Sequence, residues 1–199
     1  MRKYQQRARA EEAARTRMRI IEAVFERLRR RQPVAVDQIA DDANVARSTV
    51  YAIFGSRAGL FDAVGRELAE RSGYARLVEA KFQPDVRDQI RAGVKAASEM
   101  FAANRDIYRA LRSMAQLGEP AMVKRMNDER ANAMKRIARQ LKEQRVLREG
   151  VSVKDAEHIL WMLSSFESFD ELYTNRGLST ARTVKLLIET VEGTLYAKS

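Results

Sequence analysis

The sequence contains no cysteine and a single histidine, His158. Disulfide bonds and thiolate metal sites are therefore excluded, and one imidazole leaves zinc without a plausible set of ligands. The chain also lacks a glycine-rich phosphate loop, a nucleophile elbow and any recognisable partner pattern for His158. We therefore expect no metal, no cofactor and no enzymatic activity.

Long apolar runs and helix-breaking residues are scarce as well. The longest unbroken apolar run covers residues 159–163, far short of the roughly 20 residues that span a bilayer. Residues 1–19 lack the apolar segment of a signal peptide. The chain has 9 glycines and 3 prolines, and its apolar residues recur at helical spacing. These patterns predict an all-α protein in the cytoplasm, with no membrane partner.

The net charge of +10 is unevenly distributed along the chain. Residues 1–60 hold 13 Lys and Arg against 7 Asp and Glu, whereas residues 61–199 hold 24 against 20. A basic end on a nearly balanced body is typical of a domain that binds a polyanion, because phosphate contacts need clustered cations. A solvated, charged helix would explain the charge equally well.

The first predicted helix covers about residues 7–30 and is followed by Pro33, which we expect to stop it. Its apolar stripe consists of Ala14, Met18, Ile21, Val24, Phe25 and Leu28. Its opposite face carries Arg15, Arg17, Arg19, Arg27, Arg29 and Arg30. We expect the basic N-terminal arm to follow phosphates or to enter the minor groove of DNA. Disorder of this terminus is the alternative.

Two short helices separated by a tight turn are predicted next, over residues 36–43 and from about residue 46 onward. The first would place Val36, Ile39, Ala40 and Ala43 on one face. Asn44 suits the left-handed conformation that ends the first of them. The second would bury Val50, Ile53 and Phe54 and expose Arg47, Ser48, Tyr51 and Ala52. Such a face, small and hydroxylated with one long cation, fits the major groove of DNA. The pair therefore reads as a helix-turn-helix.

A further helix is predicted to begin after Gly55, with Ser56 as its N-cap. Its inward face would consist of Leu60, Phe61, Val64 and Leu68. Arg57 stands in its first turn, where backbone N–H groups and a guanidinium together could hold a phosphate.

The stretch VDQIADDANVARSTVYAIFGSRAGLFDAV, residues 36–64, resembles the DNA-binding domain of the tetracycline-repressor (TetR) family. The resemblance covers about residues 15–65 and rests on Arg47, Ser48, Thr49, Tyr51, Phe54, Ser56, Arg57 and Leu60. It implies that Arg47 and Ser48 contact bases or phosphates and that Thr49, Tyr51 and Arg57 contact phosphates. Ala52 would lie on the same surface.

Four positions depart from the family pattern. Asn44 replaces the turn glycine, and Ala35 and Ala46 stand where capping hydroxyls are frequent. Ile53 stands where the family usually has a His or Tyr that touches the DNA backbone. The phosphate contact at position 53 is therefore in question.

The body of the chain reads as a helical bundle, so we divide the protein into domains 1–70 and 71–199. Gly118 and Pro120 are expected to end one helix, and a long helix from about residue 122 should stop near Gly150. One helix should run from Val153 to Tyr173, and it is apolar on more than one side. Gly177 and Ser179 then supply the end of that helix and the cap of the last one.

The family resemblance implies a homodimer formed through the last two helices, an inverted-repeat operator in double-stranded DNA and a small-molecule effector bound among the middle helices. Methionines and aromatic residues suit an adaptable apolar pocket. The candidates for its lining are Met100, Tyr108, Met114, Met126, Trp161, Met162, Phe166 and Phe169, with Met122 beside them. Plain core packing is the alternative for each of them.

The sequence thus predicts a ligand-responsive transcriptional repressor that is released from its operator by a lipophilic effector. An architectural or non-specific DNA-binding protein without a ligand is the first alternative. An α-helical adaptor or membrane-surface protein is the second.

Overall fold

A computed structural model describes residues 2–116 and 121–197 of the chain. The first helices are α1 (Arg2–Arg29), α2 (Val36–Asp42), α3 (Arg47–Phe54), α4 (Arg57–Arg71) and α5 (Tyr74–Ala80). They are followed by α6 (Val86–Ala103), α7 (Arg105–Gln116) and α8 (Ala121–Glu143). The last are α9 (Val153–Leu163), α10 (Phe166–Asp170), a π-helical turn (Glu171–Asn175) and α11 (Thr180–Leu195).

The all-α prediction is confirmed. The β-type pairing in the described residues is one isolated antiparallel bridge between Leu147 and Tyr196. None of the described helices combines the length and the apolar character that crossing a membrane requires. Gly118 and Pro120, which we expected to end a helix, lie outside the described residues.

The chain divides into two compact units that are discontinuous in sequence. Residues 1–68 and 109–123 form the first unit, and residues 69–108 and 124–199 form the second. The first segment ends two residues before the boundary expected at residue 70, and the division into domains 1–70 and 71–199 stays a prediction. Sequence patterns gave no sign that residues 109–123 group with the N-terminal segment, because periodicity predicts helices and not which helices pack together.

Helix α1 is longer than predicted, and its apolar stripe begins later. Ile20, Ile21, Val24, Phe25 and Leu28 are almost fully buried. Ala14, predicted to lie on this stripe, is exposed, and so are the side chains of residues 5–7 and 9–15. The first turns of α1 are thus helical without burying an apolar face.

Helix α1 ends at Arg29, close to the end predicted near residue 30 and before Pro33. Arg31 takes a left-handed conformation with φ of 54°. The N–H of Gln32 then donates to the carbonyl of Arg27 at 2.8 Å, and that of Arg31 to Leu28 at 3.0 Å. This is a Schellman motif with arginine in the place where glycine is usual.

Helix α8 ends at Glu143, so the predicted end near Gly150 is wrong. Arg145 has φ of 57°, and Val146 N–H donates to the carbonyl of Leu141 at 2.8 Å. A non-glycine residue in the left-handed region is uncommon, which explains why the sequence pointed to the glycine instead.

The core of the second unit lies among α6, α8, α9 and α11. Its buried side chains are Val86, Ile90, Ile137, Ala138, Leu141, Val146, Ala156, Leu160, Val191 and Leu195.

Gly177 has φ of 69°, and the Ser179 side chain accepts from Arg182 N–H at 3.2 Å. The predictions that Gly177 follows the end of the preceding helix and that Ser179 caps α11 are therefore confirmed.

The single helix predicted for residues 153–173 is interrupted. Ser164 and Ser165 separate α9 from α10, and a π-helical turn follows. The Ser165 hydroxyl donates to the carbonyl of Met162 at 2.8 Å and accepts from Ser168 N–H at 3.1 Å. The serine thus caps α10 and satisfies the end of α9, a role that competes with a continuous helix.

Candidate nucleic-acid interface

Helices α2 and α3 form the helix-turn-helix. Val36, Ile39, Ala40, Ala43 and Val50 are buried, as their spacing predicted. On the outer surface of α3, Arg47, Ser48 and Ala52 are exposed, while Thr49 and Tyr51 are half-buried. Ile53 and Phe54, expected in the core, are also half-buried.

The turn between these helices depends on Asn44, whose φ is 52°. The N–H of Val45 donates to the carbonyl of Ala40 at 3.0 Å, and that of Asn44 to Asp41 at 3.0 Å. These bonds form a second Schellman motif, which reverses the chain within two residues of the end of α2. Asparagine tolerates this conformation better than most side chains. Asn44 therefore forms the turn at the position where the TetR pattern has glycine.

Neither α2 nor α3 has a side-chain N-cap, since Ala35 and Ala46 precede them. Packing and ion pairs therefore have to stabilise both helices, which are too short to be stable alone. The Arg27 guanidinium supplies part of that stabilisation. It donates to both carboxylate oxygens of Asp42, at 2.6 and 3.0 Å.

The same guanidinium also donates to the carbonyl of Pro33 at 3.0 Å and to the Gln38 side chain at 3.1 Å. The Arg27 side chain is only 13% exposed. Sequence periodicity placed Arg27 on the outer, charged face of α1. The partners lie on another helix and in a loop, so no spacing rule could have revealed them.

The junction of α3 and α4 requires glycine. Gly55 has φ of 73°, and the Ser56 side chain accepts from Gly59 N–H at 3.0 Å, as expected for the cap of α4. A Cβ atom on Gly59 would lie 2.1 Å from the carbonyl oxygen of Phe54. The backbones of α3 and α4 therefore approach too closely for any side chain at position 59.

Arg47 is held within this surface. Its Nη1 lies 2.8 Å from Oδ1 and 3.1 Å from Oδ2 of Asp37, in the first turn of α2. Its Nη2 donates to the Tyr51 hydroxyl at 3.4 Å, and its guanidinium carbon is 5.6 Å from the centre of the Tyr51 ring. The hydrogen bond to Tyr51 and then the charge of Asp37 raise the pKa of Arg47 above its ordinary value. Arg47 therefore keeps its positive charge.

Two further arginines in the first unit contact aromatic rings. The guanidinium carbon of Arg57 lies 5.0 Å from the centre of the Phe61 ring, and that of Arg17 lies 5.6 Å from the Phe54 ring. Arg57 is exposed beside the first turn of α4, where the expected phosphate contact would form.

The exposed part of α1 carries both signs of charge. Arg7 pairs with Glu11 at 3.6 Å and Arg15 with Glu12 at 3.5 Å, in each case between exposed side chains. Such pairs are worth little energy and exchange readily for other partners. The basic arm predicted from the sequence is thus helical, with its described side chains exposed.

A second concentration of positive charge lies within residues 61–199, whose total charge is nearly balanced. Residues 131–148 hold six Lys or Arg (Lys135, Arg136, Arg139, Lys142, Arg145 and Arg148) against Glu143 alone. The rest of residues 61–199 then hold 18 Lys and Arg against 19 Asp and Glu. The basic excess of the body is therefore confined to the second half of α8 and the loop after it.

Three of the predicted lining residues meet in an aromatic cluster in the second unit. Tyr108 and Phe166 stack with ring centres 5.5 Å apart, and Phe101 contacts both edge-on at 5.0 and 5.4 Å. Phe169 lies 5.8 Å from Phe101 and stacks on Tyr173 at 5.0 Å. Burial raises the pKa of Tyr108 well above its ordinary value. These rings fill the region with side chains.

The cavity beside this cluster has a volume of about 10 Å³, close to the smallest volume that admits one water molecule. Phe101, Phe169 and the polar Ser98 and Ser165 are among the residues that line it. In this structure the rings of the cluster pack against one another, and the cavity beside them is too small for an effector.

The other predicted lining residues are dispersed. Met100 is buried, whereas Met126 and Met162 are exposed. The Arg130 guanidinium lies 3.4 Å from the centre of the Trp161 ring and donates to the Trp161 carbonyl at 2.8 Å. Met114 and Met122 belong to the first unit, whereas the other seven candidates belong to the second.

A larger opening lies elsewhere in the second unit, between α6 and the start of α11. This groove has a volume of about 720 Å³ and is lined by Lys95, Glu99, Ala102, Ala103, Thr180, Ala181 and Val184. None of the predicted lining residues belongs to it. Three of its seven lining residues are alanines, whereas the prediction rested on methionine and aromatic residues.

No protein-family model and no curated protein sequence matches the chain. Solved structures do match it along most of its length. A TetR family transcription regulator from Marinobacter aquaeolei VT8 has a TM-score of 0.69 at 14% identity, over 96% of this chain and 100% of that one. The fatty acid degradation regulator FadR from Bacillus halodurans has a TM-score of 0.65 at 16% identity, over 92% and 97%. The ketosteroid transcriptional regulator KstR2 of Mycobacterium tuberculosis has 0.63 at 16% identity, over 92% and 95%.

Proposed function

We propose that this chain, which has the fold of TetR-family transcriptional regulators, is a DNA-binding regulator of transcription. It acts as a homodimer on an inverted-repeat operator, as a repressor that a small lipophilic molecule releases. Residues 1–70 provide the DNA-binding domain, and residues 71–199 bind the effector and form the dimer.

The proposal rests mainly on the outer surface of α3. Arg47, Ser48 and Ala52 are exposed on a helix that buries Val50 on its other side and follows a four-residue turn, residues 43–46. A short, narrow helix of this kind can approach base edges in the major groove, while hydroxyls and cations contact phosphates. The basic excess of residues 1–60 supports it, because each phosphate contact releases condensed counterions.

Dimerisation follows from the size of this surface. A single helix-turn-helix makes few contacts, and two linked copies add their binding energies at high effective concentration. The exposed Met162 on α9 is compatible with a contact to a second copy. Sedimentation of the purified chain, alone and with DNA, measures its oligomeric state; a monomer in both conditions contradicts the proposal.

The direct test is selection of bound duplexes from a random library. We expect an inverted repeat whose half-sites are one or more helical turns apart. Tyr51→Ala should weaken binding to all duplexes, whereas Arg47→Ala should also relax the sequence preference if Arg47 meets a base edge. If no sequence is enriched, the non-specific DNA-binding alternative is favoured. If Arg47→Ala loses the same affinity for every duplex, Arg47 contacts the DNA backbone and not a base.

A lipophilic effector is supported by the apolar character of the aromatic cluster of Phe101, Tyr108, Phe166 and Phe169. The names of two structurally similar proteins, a fatty acid degradation regulator and a ketosteroid regulator, point to the same class of molecule. Binding there requires the rings to separate, so the ligand would select an opened state.

Phe166→Ala tests this part of the proposal. The variant should respond differently from wild type to a long-chain fatty acid or a steroid ketone, with a smaller change in the DNA affinity of the free protein. The readout is release of labelled operator as each compound is added. An unchanged response removes Phe166 from the lining.

A further inference from the structure

Asp37 places a negative charge inside the surface that we propose for DNA. Its carboxylate holds Nη1 of Arg47 at 2.8 and 3.1 Å, and the two side chains are 63% and 59% exposed. Arg47 also lies against Tyr51. A DNA phosphate that approaches Arg47 must therefore compete with the Asp37 carboxylate, which already binds the guanidinium.

We propose that Asp37 is a specificity-determining residue, which positions Arg47 for base edges and lowers its affinity for phosphates. This inference rests on the proposed function. It gives a residue of α2 a role in sequence discrimination, in addition to the exposed residues of α3.

The physical argument compares two kinds of DNA. A duplex of unrelated sequence offers Arg47 mainly phosphates, and Asp37 competes with them for the guanidinium and repels them by like charge. Exposed ion pairs of this kind change binding by about two- to fivefold.

At a matching site the competition is weaker. A guanidinium has five N–H donors; Asp37 accepts from Nη1, and the Tyr51 hydroxyl accepts from Nη2. The remaining donors can reach a base edge while the ion pair persists. Fixing the side chain in advance also reduces the entropy that is lost on binding.

Asp41 provides a matched control one turn further along α2. It is exposed, and within the described residues it forms no ion pair. Asp37→Asn and Asp41→Asn remove the same charge from the same helix. The difference between them therefore isolates the contact with Arg47.

The experiment measures the affinity of the full chain for a selected site and for an unrelated duplex at several salt concentrations. Asp37→Asn should bind the unrelated duplex about two- to fivefold more tightly than Asp41→Asn does. Its affinity for the selected site should change less, so the specificity ratio falls. In an Arg47→Gln background the two aspartate variants should become equal.

Equal effects of the two variants in the wild-type background overturn the inference, as does an Asp37→Asn effect that persists with Arg47→Gln. Similar gains on both duplexes overturn it too, because they show a general charge effect. The specificity ratio of the wild-type protein tests the proposed function separately. If the wild type binds both duplexes equally, the proposed function is refuted, and this inference with it. If the wild type is selective and Asp37→Asn has the same specificity ratio, only the role of Asp37 is refuted.

Discussion

Arg27 and Asp42 form a bidentate ion pair between α1 and α2, although 15 residues separate them in the chain. The Arg27 side chain is largely buried and also satisfies the carbonyl of Pro33. Planar guanidinium and carboxylate groups match in geometry, so such a pair fixes orientation as well as distance. Arg27 therefore helps to fix the position of α2 against α1.

Replacing Arg27 should destabilise the first unit. We expect Arg27→Gln to lower the free energy of unfolding by about 1–3 kcal/mol, because hydrogen bonds to charged groups are lost. Arg27→Lys should retain only part of this stabilisation, since an ammonium group cannot form the bidentate pair. Urea denaturation measures the change. Arg29→Gln removes the exposed pair with Glu26 and should change stability by less than about 1 kcal/mol; equal effects would show that Arg27 has no special role.

Gly59 should not tolerate a side chain. A Cβ atom there would meet the Phe54 carbonyl oxygen at 2.1 Å, and backbone at this junction must move to relieve it. We expect Gly59→Ala to cost about 1–3 kcal/mol and to weaken DNA binding. Gly93→Ala is the control, because no atom lies within 4 Å of its added Cβ and alanine favours a helix by about 0.5–1 kcal/mol. Stabilisation by both changes would contradict the close approach of α3 and α4.

The basic arm should contribute to the salt dependence of DNA binding. Neutralising Arg7, Arg9 and Arg15 to Gln should reduce the slope of log K against log salt by about 0.9 for each phosphate contact that is lost. Changing Lys135, Arg139 and Lys142 to Gln removes the same charge from α8. We expect this second triple variant to leave the slope as it is in the wild type, and equal reductions would assign the effect to net charge.

The Tyr196 hydroxyl is buried without a hydrogen-bond partner among the described residues, and burial raises its pKa to about 12. An unfolded tyrosine ionises near pH 10. Its contribution to stability is therefore complete below pH 10 and is lost as the pH rises from about 10 to 12. Tyr196→Phe should make the loss of stability in this range shallower.

At neutral pH the same variant should be nearly neutral or slightly stabilising, because no hydrogen bond is lost. Tyr108→Phe provides the contrast, since the Tyr108 hydroxyl interacts with the Ser72 side chain and its removal should cost about 0.5–1.5 kcal/mol. Thermal unfolding across a pH series measures both variants. A large loss for Tyr196→Phe at neutral pH would show that its hydroxyl has a partner in solution.

The sequence alone determined the all-α class and the helix-turn-helix. Val36, Ile39 and Val50 are buried where their spacing placed them, because an amphipathic helix has one way to remove its apolar face from water. Asn44, Ser56 and Ser179 ended or capped helices as predicted. These are local interactions, which depend on residues within a few positions of each other.

Only the tertiary structure decided which partners lie far apart in the chain. The contacts of Arg27 with Asp42 and of Arg47 with Asp37 join different helices, and no periodicity encodes them. Packing likewise closed the aromatic cluster, exposed Met126 and Met162, and grouped residues 109–123 with the N-terminal segment. Helical spacing fixes which face of each helix is apolar. The neighbour that covers this face depends on the packing of the whole chain.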